Sequence, residues 1–488
     1  MKIEQIYTGC LAQGAYYIES EGEAAIIDPL RETNPYMDRA KDNKVKIKYI
    51  FETHFHADFV SGHIDLAKKS GAKIVYGPKA NTTYEKHLAE DGEVFKVGAV
   101  TITVLHTPGH TPESTTYLLK DEQGKEHAIF TGDTLFIGDV GRPDLAQKSG
   151  EITKEDLAGW LYDSLRTKIM TLPDDVIVYP AHGAGSACGK NMSSETWDTL
   201  GNQKKTNYAL RADMTRNEFI KEVTDGLLPP PPYFSLNAQL NKKGYGSIDA
   251  VIKKGTKGLS PRAFEIAANE TDALILDVRD KKDFVKGFIP NSIFIGLDSS
   301  FAPWVGALIA DINQPILIIA PPRRNKEAVK RLARVGYDNS IGYLKGGFEA
   351  WKKAGKEIDT IETIDVHRFE AIYSKEPTIQ VLDVRKPSEW EGEHIEASQN
   401  FPLDFINKYM SEVNKDHKYY MHCRSGYRST IAASILKARG FKNLVNIQGL
   451  FSDMVDSTIP TTAFVCPCLL YTSPSPRDRT RSRIPSSA

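Results

Sequence analysis

Cysteine is scarce in this chain: five in 488 residues, at Cys10, Cys188, Cys423, Cys466 and Cys468, most of them far apart. Such spacing excludes a disulfide framework and points to a reducing compartment, with the cytoplasm as the expected location. Long apolar runs are missing as well. No run of about 18 apolar residues is present, so no transmembrane helix is expected. The opening MKIEQIYTG lacks the apolar core of a signal peptide. A surplus of one charge is also missing. The formal net charge is −1, so no global field recruits nucleic acid or a membrane surface. With 41% hydrophobic and 26% charged residues, the composition is that of a globular chain, long enough for three domains.

The first 200 residues alternate short apolar, β-branched strands with polar loops. AAIID, IKYIFETH, KIVYG, VTITVLH, HAIFTGD and VIVYPAH are the clearest strands. Helical patterns fall between them, such as HIDLAKKSG with its terminal glycine. The stiff run LLPPPPY (227–233) reads as the edge of the first domain. An internal repeat follows. LILDVRDKKDFVKGFIPNSI (274–293) matches VLDVRKPSEWEGEHIEASQN (381–400), and LKGGFEAW (344–351) matches IQGLFSDM (447–454). A spacing of about 105 residues is too long for a solenoid unit and right for two copies of a small domain. Each copy alternates strands and helices, which predicts a parallel sheet covered on both faces. The expected division is 1–245, 256–358, 360–465 and a tail, 466–488. The tail, with its Ser, Pro and Arg and no apolar periodicity, reads as a disordered or non-native extension.

Four strand ends carry ligand-type side chains: His54, His56 and Asp58 in THFHADF, His110 in HTPGHT, Asp133 in FTGD and His182 in YPAHG. A single such histidine is ordinarily structural. Their joint placement, each after an apolar strand and near Gly or Pro, points to a metal site on a rigid scaffold. Phe59 fills the last place of THFHADF and, having no lone pair, cannot ligate.

This order resembles the metallo-β-lactamase superfamily over residues 1–210. The resemblance implies an αββα sandwich with the metal at one edge. In two-metal members His54, His56 and His110 would hold the first ion. Asp58, residue 59 and His182 would hold the second, with Asp133 bridging. Phe59 leaves that second set incomplete. The chain is more similar to the persulfide dioxygenases of the superfamily, which implies one Fe(II) held by His54, His110 and Asp133. Two His and one carboxylate on one face leave positions for O2 and a sulfur ligand. His56, Asp58 and His182 would then orient ligands and bound water. A mononuclear zinc site on His54, His56 and His110 is the alternative. Arg142 in GDVGRPDL matches an arginine common in these dioxygenases. It would support the loop or an anionic substrate, or make a surface ion pair. Cys188, six residues after His182, would line the site entrance or fill a buried gap.

YYMHCRSGYRST (419–430) places Cys423 after an apolar strand and before an amphipathic helical pattern. Loop N–H groups, the helix N-terminus, Arg424 and Arg428 would then converge on the sulfur and favour a nucleophilic thiolate. CRSGYR with LDVR upstream resembles rhodanese sulfurtransferases, in which this Cys carries a persulfide. A phosphatase-like Cys-x5-Arg reading also fits the spacing, but LDVR and the repeat favour rhodanese. In the earlier copy the matching position is Ala320, so that copy reads as a rhodanese-like domain without a nucleophile. Its Arg323 and Arg324 would attract an anion or be solvated.

The whole pattern resembles persulfide dioxygenase–rhodanese fusion proteins: an αββα sandwich followed by two α/β domains with parallel sheets. The resemblance implies oxidation of a thiol persulfide by O2 to sulfite, coupled to sulfur transfer linking sulfite and thiosulfate. It implies no organic cofactor. Partners would be small molecules, with neither nucleic acid nor membrane, and sandwiches of this kind often pair as homo-oligomers. A glyoxalase II-type zinc thioester hydrolase fused to a sulfur carrier is the rival reading.

Overall fold

The structure is a computed structural model that describes residues 1–147, 150–190 and 192–465. The tail expected to be disordered or non-native, with Cys466 and Cys468, lies outside them. Among the described residues, no helix is long and apolar enough to cross a membrane. The chain forms two compact units. Among the described residues, one comprises 1–257, 299–314 and 326–341; the other comprises 258–298, 315–325 and 342–465.

Twelve strands build the two sheets of the first unit. β1 (Lys2–Thr8), β2 (Gln13–Ser20), β3 (Glu23–Ile27), β4 (Lys46–Glu52), β5 (Lys73–Tyr76) and β6 (His87–Leu88) lie side by side in that order. β7 (Val94–Val97), β8 (Val100–His106), β9 (Thr115–Lys120), β10 (Glu126–Gly132), β11 (Ile177–Pro180) and β12 (Asp198–Thr199) form the second sheet, also in chain order. The period-2 alternation of strands decides how they pack. In β2, Tyr16 and Ile18 enter the core between the sheets with Phe51, Val104, Tyr117 and Phe130. Ala15 and Tyr17 face the other way, toward Tyr36 and Ala40 of the helix Asn34–Asp42 and Leu66 of the helix His63–Ser70. The second sheet turns Leu118, Ile129 and Val178 toward Leu161 of the helix Lys154–Ser164 and Phe219 of the helix Arg216–Thr224. Helices therefore cover both outer faces, and the sandwich is αββα, as the resemblance implies.

The repeat folds as two five-stranded sheets. β13 (Gly258–Leu259), β14 (Leu274–Asp277), β15 (Ile293–Phe294), β16 (Ile316–Ile319) and β17 (Ser340–Leu344) run in the order 13-17-16-14-15. β18 (Glu362–Asp365), β19 (Gln380–Asp383), β20 (Ser398–Asn400), β21 (Tyr419–His422) and β22 (Leu444–Gln448) run 18-22-21-19-20. The two orders correspond strand for strand. Every recorded pairing in both sheets is parallel. LDVR makes the same clamp twice. Arg279 pairs with Asp277 at 2.6 Å and lies over the Phe348 ring at 4.2 Å. Arg385 pairs with Asp383 at 2.6 Å and lies over Phe451 at 3.6 Å. The motif thus fixes the turn after the strand in both copies, with or without a cysteine.

Candidate metal centre and cysteine loop

The metal-type side chains follow the ends of β4, β8, β10 and β11 and gather at one edge of the sandwich. His54, His110 and Asp133 are all buried, with one ligand-type atom from each within 4.8 Å of the others. Asp133 Oδ2 lies 3.8 Å from His54 Nε2 and 3.4 Å from His110 Nε2. The backbone delivers Asp133 by two devices. Register in β10 slips between Phe130 and Gly132, and Gly132 takes φ +53° against Thr53, where a Cβ would sit 2.6 Å from Oγ1. A side chain at Gly141 would likewise meet the Asp133 carbonyl at 2.0 Å and the His110 ring at 3.0 Å.

Hydrogen bonds decide which ring nitrogens are free. Thr53 donates its hydroxyl proton to Asp28 Oδ2 at 2.8 Å. Its oxygen is then left to accept from His54 Nδ1, 3.0 Å away. His110 Nδ1 donates to the Arg142 carbonyl at 2.8 Å. Both histidines are thereby set as tautomers with a bare Nε2. Burial and the neighbouring histidines hold the His54 pKa well below its ordinary value, which keeps the ring neutral. Both Asp133 carboxylate oxygens are buried without a hydrogen-bond partner. Two bare imidazole nitrogens around an orphaned buried carboxylate are a donor set that fits a divalent cation.

His56 belongs to a different set. Its Nε2 is 3.0 Å from Asp28 Oδ1 and 3.8 Å from Glu52 Oε2. Burial opposes its charged form, but Asp28, Glu52 and Asp58 outweigh burial and raise its pKa to about 9. An imidazolium has no lone pair to give a metal. His182 Nε2 lies 3.5 Å from Asp58 Oδ2 and 3.6 Å from Asp133 Oδ1. His56, Asp58 and His182 also come within 4.8 Å of one another, so most of a second cluster survives. The Phe59 ring is fully buried, 4.3 Å from the His56 ring and 6.5 Å from His182, centre to centre.

Arg142 ties loops together. Its guanidinium donates to Asp144 at 2.6 and 2.7 Å and to the carbonyls of Leu228 and Ala187 at 2.5 and 3.4 Å. Cys188 is buried beside Asp133 and His182. Burial, then Asp58 and Asp133, push its pKa well up, so the thiol stays protonated. Asn241, in the helix Phe234–Lys243, was not marked by any sequence motif. Its amide donates to the carbonyls of His56 and Phe59, both at 2.8 Å, and accepts from Ser61 N at 2.9 Å. It clamps the THFHADF loop from 180 residues away. Asp28 did have a signal, since it ends the strand AAIID.

In the second unit, Cys423 follows β21 and precedes the helix Tyr427–Ala438. Cys423 is 1% exposed, and its sulfur accepts from Gly426 N at 3.1 Å. Gly426 caps the helix at φ +81°, a conformation that favours glycine. Arg428 grips Glu389 with two bonds, of 2.5 and 2.8 Å. A cavity of about 500 Å³ lies beside the loop, lined by Arg385, Glu389, Arg424, Leu450, Phe451 and Phe464 among others. In the earlier copy Ala320 follows β16, Arg323 takes φ +65°, and Arg324 pairs with Asp298 at 2.7 Å.

The class of protein follows from this fold and edge site. The metallo-β-lactamase superfamily model matches residues 8–182, and the rhodanese-like domain model matches 260–354 and 366–456. The chain belongs to the metallo-β-lactamase superfamily, with two rhodanese-like domains after the sandwich. Human persulfide dioxygenase ETHE1, mitochondrial, is 30% identical over 223 residues, 45% of this chain and 79% of that protein. A probable hydroxyacylglutathione hydrolase of Schizosaccharomyces pombe is 32% identical over 168 residues, 34% of this chain. The match spans 60% of the length of that relative. A crystal structure of a metallo-β-lactamase from Staphylococcus aureus subsp. aureus COL is 31% identical with TM-score 0.61. It covers 70% of this chain and 98% of its own.

Proposed function

We propose that this chain is a persulfide dioxygenase with a rhodanese activity, oxidising a low-molecular-weight persulfide at His54, His110 and Asp133 and moving sulfane sulfur at Cys423. The carrying observation is the pairing of two bare Nε2 atoms with an orphaned Asp133, next to a buried phenyl ring where a second metal would need a donor. The overall reaction is R–S–SH + O2 + H2O giving R–SH, sulfite and two protons. Held by His54, His110 and Asp133, a ferrous ion would supply open positions at which O2 and the substrate sulfur meet. Arg142 and Gly141 keep the His110 ring in place. His182 and Asp58 border the carboxylate. Cys188, kept as a thiol, contributes a wall and no nucleophile.

At Cys423 the thiolate attacks the outer sulfur of thiosulfate. The S–S bond breaks, sulfite leaves with the electron pair, and Cys423 carries the persulfide; the reverse reaction makes thiosulfate. Charge is conserved, since three negative charges stand on each side. Housing both sites in one chain raises effective concentration where product passes between them. The reading includes domains bounded at 1–245, 256–358 and 360–465, a reducing compartment such as the cytoplasm, and a homo-oligomer. The hydrolase rival draws on the hydroxyacylglutathione hydrolase relative and on the surviving His56, Asp58 and His182 cluster.

Metal content separates the two readings. Protein purified without oxygen is expected to bind one iron per chain by elemental analysis. Phe59→His is expected to admit a second ion. Two zinc ions per wild-type chain, with thioester hydrolysis, would replace the dioxygenase reading by the hydrolase one.

A further inference from the structure

The peptide unit joining Ser425 to Gly426 has two partners. Its N–H donates to Cys423 Sγ at 3.1 Å. Its carbonyl accepts from the Lys281 ammonium. Lys281 is half-buried and opens the helix Lys281–Lys286 of the copy that lacks a cysteine. The same copy holds the cysteine-bearing helix at further points. Tyr427 Oη donates to the Gly296 carbonyl at 2.9 Å, and Phe294 N donates to Ser434 Oγ at 3.0 Å. The rings of Phe294 and Tyr427 meet edge to face, 5.8 Å between centres.

We propose that Lys281 is a positioning residue for Cys423, acting through the Ser425–Gly426 peptide, and that this contact is what the cysteine-less copy contributes to sulfur transfer. The proposal rests on Cys423 as the sulfur-bearing nucleophile. A carbonyl that accepts from an ammonium is polarised, and its own N–H becomes a stronger donor. Here that N–H points at the sulfur. Gly426, in the left-handed region, offers little steric resistance to a flip of the peptide before it. A flip would turn the Ser425 oxygen toward the sulfur and set two electron-rich atoms face to face. The ammonium anchors the carbonyl on the far side and opposes that flip. The other ionisable groups around the loop all belong to the cysteine-bearing copy: Arg424, Arg428 paired with Glu389, Arg385 paired with Asp383, and His422, which burial holds neutral, beside Asp383.

The test uses the full chain with Lys281→Met, Lys281→Gln and Lys281→Arg. Alkylation of Cys423 by iodoacetamide is followed against pH by mass spectrometry, beside kcat and KM for sulfur transfer from thiosulfate. Lys281→Met is expected to move the alkylation midpoint up by about one pH unit, or about tenfold less thiolate below it. It should lower kcat by about three- to tenfold and move KM less. Lys281→Arg, which keeps charge and donor, should restore most of both. Lys281→Gln keeps a donor without charge and should fall between them; it also decides the matter if the Met variant does not fold. A wild-type midpoint and kcat in Lys281→Met or Lys281→Gln would overturn the proposal. So would equal damage from Lys281→Arg, because the contact would then be one of shape alone. If wild-type Cys423 took up no sulfur from thiosulfate, the sulfurtransferase reading would fall, while the alkylation midpoints would still decide the role of Lys281.

Discussion

His110→Ala is expected to abolish O2 consumption on a persulfide and to leave sulfur transfer from thiosulfate unchanged. The ring does three jobs in the geometry. Its Nε2 stands 3.4 Å from Asp133 Oδ2 as one of the bare nitrogens. Its Nδ1 spends its proton on the Arg142 carbonyl at 2.8 Å, which fixes both tautomer and orientation. Its edge lies where Gly141 makes room. Alanine removes the donor and leaves His54 as the one bare imidazole of the proposed ligand set beside Asp133, so iron should be lost with the activity. Changing residues that merely support a ligand costs about 10- to 100-fold in affinity or activity, and a lost ligand should exceed that range. Oxygen uptake and iron content check it together. Uptake near the wild-type rate would remove His110 from the ligand set.

Cys423→Ser is the second large effect: sulfur transfer is lost and O2 uptake persists. A serine hydroxyl is not ionised near neutral pH and is a poor nucleophile toward sulfane sulfur, so a loss of at least about 10³-fold is expected. No other described thiol is placed to take over. Cys188 is buried and held protonated by burial and two nearby carboxylates. Cys10 is partly exposed, and its sulfur receives an Arg334 N–H at 3.4 Å, outside any loop like that of Cys423. The check is thiosulfate turnover beside O2 uptake on one preparation. Surviving turnover would move the nucleophile to another cysteine.

How much of this was legible in the sequence depends on distance along the chain. Strand-terminal placement of His54, His110, Asp133 and His182 is written locally, as an apolar run that ends just before each, with Gly or Pro beside the last three, and the fold brings the four together. The repeat was legible because its two LDVR runs make one clamp twice, an arginine folded back onto the aspartate two residues before it. The loop at Cys423 was legible because the strand, the glycine and the helix are contiguous. What could not be read is what distant segments bring. Asn241 grips the backbone at His56, Phe59 and Ser61, and Lys281 reaches Ser425 from 144 residues away. No spacing rule marks such pairs. Proton bookkeeping was hidden too. That Thr53 spends its hydroxyl on Asp28, and that His56 is held charged by acidic neighbours, follows from side-chain geometry alone. Phe59 was legible as an absent ligand, but its packing against the His56 ring was not.

The pairing of Phe59 with a two-histidine, one-carboxylate set is the centre of the account, and O2 stoichiometry tests it most directly. Iron-loaded protein is mixed with a panel of low-molecular-weight persulfides in an oxygen electrode, and sulfite is quantified in the same sample. One O2 consumed and one sulfite released for each persulfide spent is the expected result. Zinc-loaded protein that hydrolyses a thioester, with no O2 consumed by the iron form on any persulfide, would contradict it.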